Sequence, residues 1–435
     1  MKIFSGFSKM DRGLKLDFIA GNSHLKDADA LHFRDYDSPD GETQQVFDGM
    51  IENYLGNFPI PMGIVPNMLV NGELFMVPFV TEESSVVAAA SKAAKYWAHR
   101  GGFKARIVST TRKGQVHFTW NGPKELIVDG FPEIKRQLLF STTELTFRMR
   151  RRGGGITDMA LLDMTSGLPD YFQLDVSFET AEAMGANFIN SCLERIASTL
   201  STLVQLNNSD FQVEIIMAIL SNYTPGSLVH CKVECPAELL TGWNNAAPDE
   251  NFALKFKQAV DIASLDVSRA VTHNKGIFNG VDAALLATGN DWRAAEAACH
   301  AYAARNGKYK GLTSVSLENH RFSYDLELPL AVGTVGGITN IHPVVKNVHK
   351  ILKDPDARKL MMIVAASGLA SNFAAIASLV TTGIQEGHMK LHLSNILNQL
   401  NASAVENEMT ISHFTGKKIS YSTIEDFIRQ IRNKQ

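Results

Sequence analysis

Apolar and polar residues recur with two different periods along the chain, and the change of period divides it into parts. Apolar positions fall at helical spacing in Val86 to Trp97, and again over 250–271 and 292–305, all rich in alanine. Strict alternation appears instead at Arg106 to Ser109, Gln115 to Thr119, Phe172 to Val176 and Val213 to Met217. Helical stretches over about 131–150 and 182–205 lie between these runs. Strands interleaved with two helices predict a small α/β sandwich of the split βαβ type. The flanking parts share a helical texture that the middle lacks, so the middle reads as an insert within a larger domain. The expected division is 1–105 and 218–382 for the large domain, 106–217 for the insert, and 383–435 for a C-terminal segment.

Finer signals sharpen this outline. Gln44 to Tyr54 reads as an amphipathic helix, stopped by Gly56 and Pro59. Asn71-Gly72 between apolar runs is a hairpin signal. Thr81-Glu82-Glu83-Ser84-Ser85 places hydroxyl and acidic side chains at the entry of the helix that follows. Residues 421–432 form a short amphipathic pattern. Leu360 to Thr382 carries no charge and is long enough to span a bilayer. Its alanines, serines, threonines and Asn372 favour a buried core helix.

Composition removes several function classes. The chain has 435 residues, 45% hydrophobic and 20% charged, with 42 Lys+Arg against 45 Asp+Glu. That balance argues against a nucleic-acid coat or a protein built to lie on an anionic membrane. Four cysteines, Cys192, Cys231, Cys235 and Cys299, make no disulfide framework and no common zinc spacing. A cytoplasmic location is the simplest expectation. Met1 to Leu16 has no apolar run, so no signal peptide is expected.

Five segments carry candidate chemistry. Glu82-Glu83-Ser84-Ser85 either complements a helix dipole or sets a general acid at the mouth of a pocket. Arg269 to Gly280 packs Arg269, His273, Lys275, Asn274 and Asn279 among glycines, which suits an anion or carbonyl site on a turn, or simply a capped loop. In Ala287-Thr288-Gly289-Asn290-Asp291, Asp291 has the position of a helix cap. His388 and His392 stand one helical turn apart, without the pattern of a zinc site; His388 suits a proton donor. Glu182-Ala183-Met184-Gly185-Ala186-Asn187 opens a helix and suits a pyrophosphate, without being a Rossmann fingerprint.

Together these segments resemble the hydroxymethylglutaryl-CoA reductases, specifically the soluble bacterial class II enzymes. The shared runs are Glu52-Asn53-Tyr54-Leu55-Gly56, 82–91, Ala-Met-Gly-Ala-Asn at 183–187, 269–280, Ala-Thr-Gly-Asn-Asp at 287–291, Val-Gly-Gly at 335–337 and Gly-Ile-Gln-x-Gly-His-Met at 383–389. They occur in family order over about residues 1–430. The resemblance implies an α+β fold: a large, mainly helical domain with an inserted ferredoxin-like cofactor-binding domain and a C-terminal helical flap. It implies an oxidoreductase interconverting hydroxymethylglutaryl-CoA and mevalonate plus CoA by two hydride transfers with NAD(P)H. It also implies a homodimer with active sites at the subunit interface, Glu52 to Gly56 lying at the dimer contact. No metal is implied. The alternatives are another acyl-CoA/nicotinamide oxidoreductase on this scaffold, or a catalytically silent CoA-binding homologue.

By the same resemblance, the catalytic residues are Glu83, Lys275, Asp291 and His388. Lys275 meets the charge that builds on the carbonyl oxygen, and Glu83 supplies its proton. Asp291 interacts with both, and His388 protonates the leaving thiolate. Ser85, Arg269 and Asn279 hold the substrate's carboxylate or hydroxyl. Glu182, Ala183, Met184, Gly185, Ala186 and Asn187 take the dinucleotide. Two departures matter. Glu182 replaces the family's aspartate, and Thr146 stands where NAD-specific members carry an acid. With Arg148 and Arg150 nearby, that leans toward NADPH. The family's N-terminal arginine for CoA phosphates has Lys9 as its nearest counterpart.

Overall fold

The computed structural model describes residues 4–25, 31–207, 210–241, 243, 251–381, 393, 396–414 and 420–433. Helix α1 (Arg12–Asn22) is capped by Asp11, which accepts from Leu14 N. Arg12 gathers the segment that follows. Its guanidinium pairs with Asp37, bonds the carbonyls of Phe33 and Leu55, and lies over the Tyr54 ring. Gly56 lets the segments close on each other, since a Cβ there would stand 2.2 Å from Phe33 O. The helix expected over Gln44 to Tyr54 is shorter: α2 (Gly41–Asp48) stops at Gly49, and Asn53 adopts φ 55°.

Strands β1 (Met62–Val70) and β2 (Glu73–Val80) form the expected hairpin. Asn71 and Gly72 both have positive φ, as a two-residue primed turn requires. Helix α3 (Ser84–Ala98) follows and ends where Gly102 N returns to Trp97 O at 2.8 Å. Strand β3 (Lys104–Ile107) then leads into the insert.

The insert runs β4 (Arg112–Trp120), α4 (Lys124–Ser141), α5 (Thr143–Arg150), β5 (Gly155–Asp163), β6 (Tyr171–Glu179), α6 (Ala186–Asn207) and β7 (Val213–Leu220). Its sheet has the order β5-β6-β4-β7, antiparallel throughout. That is the ferredoxin-like, split βαβ arrangement. The alternation of β4 buries Val116, Phe118 and Trp120 on one face, against Leu193 and Ile196 of α6, in a core separate from that of the large domain. The helical stretch expected over 131–150 is two helices, divided at Thr142.

The chain then returns to the larger body through β8 (Leu228–Pro236), α7 (Phe252–Leu265), α8 (Val267–Ala287), α9 (Trp292–Ala303), β9 (Thr313–Glu318) and β10 (Arg321–Pro329). A second sheet has the order β3-β8-β10-β9. Arg106 and Ile107 pair there with His230 and Val229, so this alternating run lies in the sheet of the larger body. Helix α10 (Pro343–Ile351) precedes α11 (Ala357–Leu379). Among the described residues α11 is the one helix long and apolar enough to cross a membrane, yet nearly all of it is buried inside the protein. It packs on α3, α8 and the second sheet, beside an aromatic cluster of Trp97, Phe256, Phe322, Tyr324 and Phe373.

Arg269 to Gly280, expected as a glycine-shaped turn or loop, is helical from end to end within α8. Its glycines serve contact rather than turning. A Cβ on Gly280 would stand 2.2 Å from Ser367 O of α11, and one on Gly276 would stand 3.1 Å from Asn372 Nδ2. The two helix backbones therefore meet more closely than side chains allow. C-terminal to α11, helices α12 (Ala404–Phe414) and α13 (Tyr421–Arg432) are tied by Arg432 to Glu406, and Leu393, Ile396, Leu397, Ile424 and Ile428 form a small separate core.

Candidate active site

Two elements far apart in sequence bring the candidate acid and the candidate cation together. Glu83 is the N-cap residue of α3, but its carboxylate is not used to cap that helix. Its Oε1 accepts from Ser85 Oγ at 3.2 Å, and its Oε2 accepts from Lys275 Nζ at 2.8 Å. Lys275 lies mid-way along α8, which starts at Asp266, whose carboxylate accepts from Ser268 N and Arg269 N. Both side chains remain open to solvent, the lysine 61% and the glutamate 37% exposed. A paired carboxyl and ammonium at an open surface present what an approaching carbonyl needs: a cation for developing charge and a group that exchanges a proton.

Asn279 follows Lys275 by one helical turn and shares its face of α8. Arg269 does not. Six residues earlier, it projects about 120° around the helix from Lys275. His273, on the side nearer Arg269, is buried, and its Nε2 lies 2.6 Å from Thr313 Oγ1. Desolvation, with the charge of Arg269 second, pulls its pKa down to about 3.

Asp291 is the N-cap of α9, its Oδ1 accepting from Ala294 N at 3.0 Å. No hydrogen bond or ion pair among the described residues joins it to Lys275. His388 lies outside the described residues, as does all of Gly383 to His392. Lys9 ends a short exposed 3-10 turn ahead of α1.

The candidate dinucleotide segment is a tight turn docked on the large domain. Ala181 and Gly185 have positive φ, and a Cβ on Gly185 would stand 2.4 Å from Thr180 Cγ2. Helix α6 begins immediately after, at Ala186. Thr334 N bonds Glu182 O at 2.9 Å, Ala183 bridges Val335, and a Cβ on Gly333 would stand 2.3 Å from Met184 N. Asn290 Oδ1 accepts from Gly333 N at 2.8 Å, which links this turn back to the α8–α9 connection. The Glu182 carboxylate is engaged within the protein, by Ala357 N and by Thr334 Oγ1.

Beside this turn, a cavity of about 190 Å³ opens where the insert meets the large domain. Arg112, Arg152, Arg358, Glu179 and Glu182 line it. Arg112 is almost wholly buried. Its Nη2 donates to Val332 O, while Nε and Nη1 have no partner among the described residues. Burial pulls its pKa down to about 10 against the opposing charge of Glu179. Orphaned guanidinium nitrogens next to a glycine-shaped turn and a helix N-terminus fit an anionic cofactor. Arg112 escaped the sequence reading because nothing local marks its burial. Thr146 is buried with its hydroxyl bonded to Thr142 O, while Arg148 and Arg150 are exposed. Among the described residues no group of His, Cys, Asp and Glu is arranged to hold a metal.

Comparison with known proteins agrees with this geometry. A family model described as hydroxymethylglutaryl-coenzyme A reductase matches residues 16–393. The chain is 33% identical over 396 residues to the 3-hydroxy-3-methylglutaryl-coenzyme A reductase of Archaeoglobus fulgidus, covering 90% of this chain and 86% of that one. It is similar to a solved reductase from Streptococcus pneumoniae, with a TM-score of 0.73, 35% identity and coverage of 99% and 100% of the two chains. A class II enzyme of that organism, solved with NADPH in open conformations, matches with a TM-score of 0.71 at 36% identity, over 87% of this chain and all of that one. Ordered motifs, a ferredoxin-like insert and these matches agree: the chain belongs to the hydroxymethylglutaryl-coenzyme A reductase family.

Proposed function

We propose that the protein reduces hydroxymethylglutaryl-CoA to mevalonate and CoA with two equivalents of nicotinamide cofactor, using Glu83 and Lys275 at its reacting centre. The observation that carries the residue assignment is the 2.8 Å contact between Lys275 Nζ and Glu83 Oε2, made across 192 positions and left open to solvent. Lys275 holds the carbonyl oxygen as negative charge develops on it. Glu83, one bond from that ammonium, gives the oxygen its proton. Ser85 steadies the Glu83 carboxyl through Oε1. Asn279, on the Lys275 face, hydrogen-bonds the substrate's polar end. Asp291 caps α9, and by the family resemblance it tunes the charge on the lysine and glutamate. His388 supplies the proton for the departing thiolate.

The turn Glu182 to Asn187, the start of α6 and the orphaned nitrogens of Arg112 would hold the dinucleotide. The cofactor supplies the hydride. The family resemblance, the absence of an acid at Thr146, and Arg148, Arg150 and Arg152 around the adjoining surface and cavity together favour NADPH. Arg269 stands about 120° around α8 from Lys275. By the family resemblance it holds the substrate carboxylate, and the active site lies at the interface of a homodimer. The burial of α11 and the four free, buried cysteines support a soluble, cytoplasmic enzyme. The separate cores support the division into a large domain, an insert and a C-terminal flap.

Purified protein mixed with hydroxymethylglutaryl-CoA and NADPH, or with NADH, tests the reading through the absorbance of the reduced nicotinamide. Oxidation dependent on substrate is expected, with the higher kcat/KM for NADPH. No oxidation with either cofactor, and no reduction with mevalonate plus CoA, would refute it.

A further inference from the structure

Behind Lys275, on the same face of α8, lies a second acidic residue that the reaction as described does not use. Asp282 follows Lys275 by seven residues, two turns and about 10 Å along the helix. Its Oδ1 is buried and receives no hydrogen bond from any described residue. The carboxylate of Glu296, in the second turn of α9, lies within hydrogen-bonding reach of the Asp282 side chain. Two ionised carboxylates only accept, so such a contact is favourable only with a proton between them. Burial, and then the nearby Glu296 carboxylate, hold the Asp282 carboxyl well above the usual carboxylate range, with Lys275 opposing. The other titratable groups in electrostatic reach are Cys299 of α9, whose thiol the burial and the two acids push upward, and Tyr309, which bonds His300 and Asn274.

We infer that Asp282 and Glu296 are positioning residues for the reaction: a carboxyl pair that shares one proton and presents a single, half-buried negative charge on the Lys275 face of α8. The charge acts through the lysine, not on the substrate. When substrate and cofactor cover Lys275 and strip its water, the pair keeps the ammonium charged. It also raises the proton affinity of Glu83, which touches that ammonium. Two full charges would draw the lysine inward, and none would leave it unsupported. One shared proton gives the value between these. The inference rests on Lys275 and Glu83 being the reacting groups.

The test is the pH profile of kcat for wild type, Asp282→Asn, Glu296→Gln and the double variant, with thermal melts alongside. Each single variant loses the shared proton but keeps one carboxylate, so its alkaline limb stays close to wild type. The double variant has no charge there. Removing a negative charge about 10 Å away moves the alkaline limb toward lower pH by about half a unit or more, and lowers kcat several-fold, with KM little changed. A folded double variant with an unmoved limb overturns the inference. So does an equal fall in kcat for all three variants without a limb shift, the mark of a structural role. If the double variant does not fold, infrared absorption decides. A protonated carboxyl present at neutral pH in wild type and missing from both single variants is expected, and its absence from wild type overturns the inference. Lys275→Ala is run in parallel: full turnover there would remove the reading of Lys275 itself, whereas an inactive Lys275→Ala beside an unmoved double variant overturns the pair alone.

Discussion

Glu182 Oε2 accepts the backbone N–H of Ala357 at 2.7 Å, so a residue of the candidate cofactor turn completes the first turn of the large domain's central helix. Thr334 Oγ1 donates to the same oxygen at 3.1 Å. A carboxylate at a helix N-terminus meets both an orphan donor and the positive end of the dipole. The family's aspartate at this position is one methylene shorter than the glutamate here. Glu182→Asp is expected to lose the bond to Ala357 N, at a cost of about 0.5–1.5 kcal/mol. A fall in Tm with little change in kcat, alongside a raised KM for the dinucleotide, is the expected result. An unchanged melt would show that the contact contributes nothing.

The pair proposed for the reacting centre makes a sharper prediction. In that reading, Lys275→Ala removes the cation from the developing charge, and Glu83→Gln removes the proton while preserving shape. Each is expected to lower kcat on the order of 100-fold or more, with a much smaller effect on substrate KM. The two losses should be far from additive in the double variant, because each residue acts through the other. Steady-state rates with hydroxymethylglutaryl-CoA measure this directly. Additive losses would mean that the 2.8 Å contact has no part in catalysis.

Gly280 offers a test of packing rather than chemistry. Alanine has the better helix propensity, by about 1 kcal/mol, so an isolated helix gains from Gly280→Ala. Here the new Cβ would meet Ser367 O at 2.2 Å, and a backbone atom in mid-helix cannot step aside cheaply. The net expectation is a destabilisation of about 1–3 kcal/mol as α8 and α11 part. Because α8 also carries Lys275, kcat should fall with the melting temperature. A more stable variant would show that the helices separate freely.

These glycines also show where the sequence stopped speaking. The insert was readable because alternation in Gln115 to Thr119 and Phe172 to Val176 is a local property of each strand, and the hairpin because Asn71-Gly72 encodes its own turn. Arg269 to Gly280 misled because a glycine in a turn and a glycine at a helix crossing look alike until the partner helix is known. Arg106 and Ile107 alternate like the insert's strands, yet their partners His230 and Val229 lie in β8, beyond the whole insert. The candidate acids and cations stand in motifs whose order along the chain is legible. The contact of Glu83 with Lys275, the orphaned nitrogens of Arg112 and the pairing of Asp282 with Glu296 are products of packing, with no local trace.

His273 gives the protein an expected weakness in mild acid. It is buried on α8, with Nε2 against Thr313 Oγ1 and Nδ1 without a partner among the described residues. Its pKa falls to about 3 in the folded protein, against an ordinary value of about 6.5 in the unfolded chain. The folded state therefore keeps His273 neutral while the unfolded state takes up a proton as pH drops. Its contribution is fully present above about pH 6.5 and is lost as pH falls from there toward 3, at about 1.4 kcal/mol per pH unit. Between pH 6.5 and 5 that amounts to about 1.6 kcal/mol, in a window where most carboxylates are still ionised. Denaturant unfolding at pH 6.5 and pH 5 should show this loss in wild type and a flatter dependence in His273→Gln, whose own cost appears at both pH values. Parallel pH dependences for the two proteins would mean that His273 accepts its proton in the folded state, and that the pocket beside Thr313 opens to water.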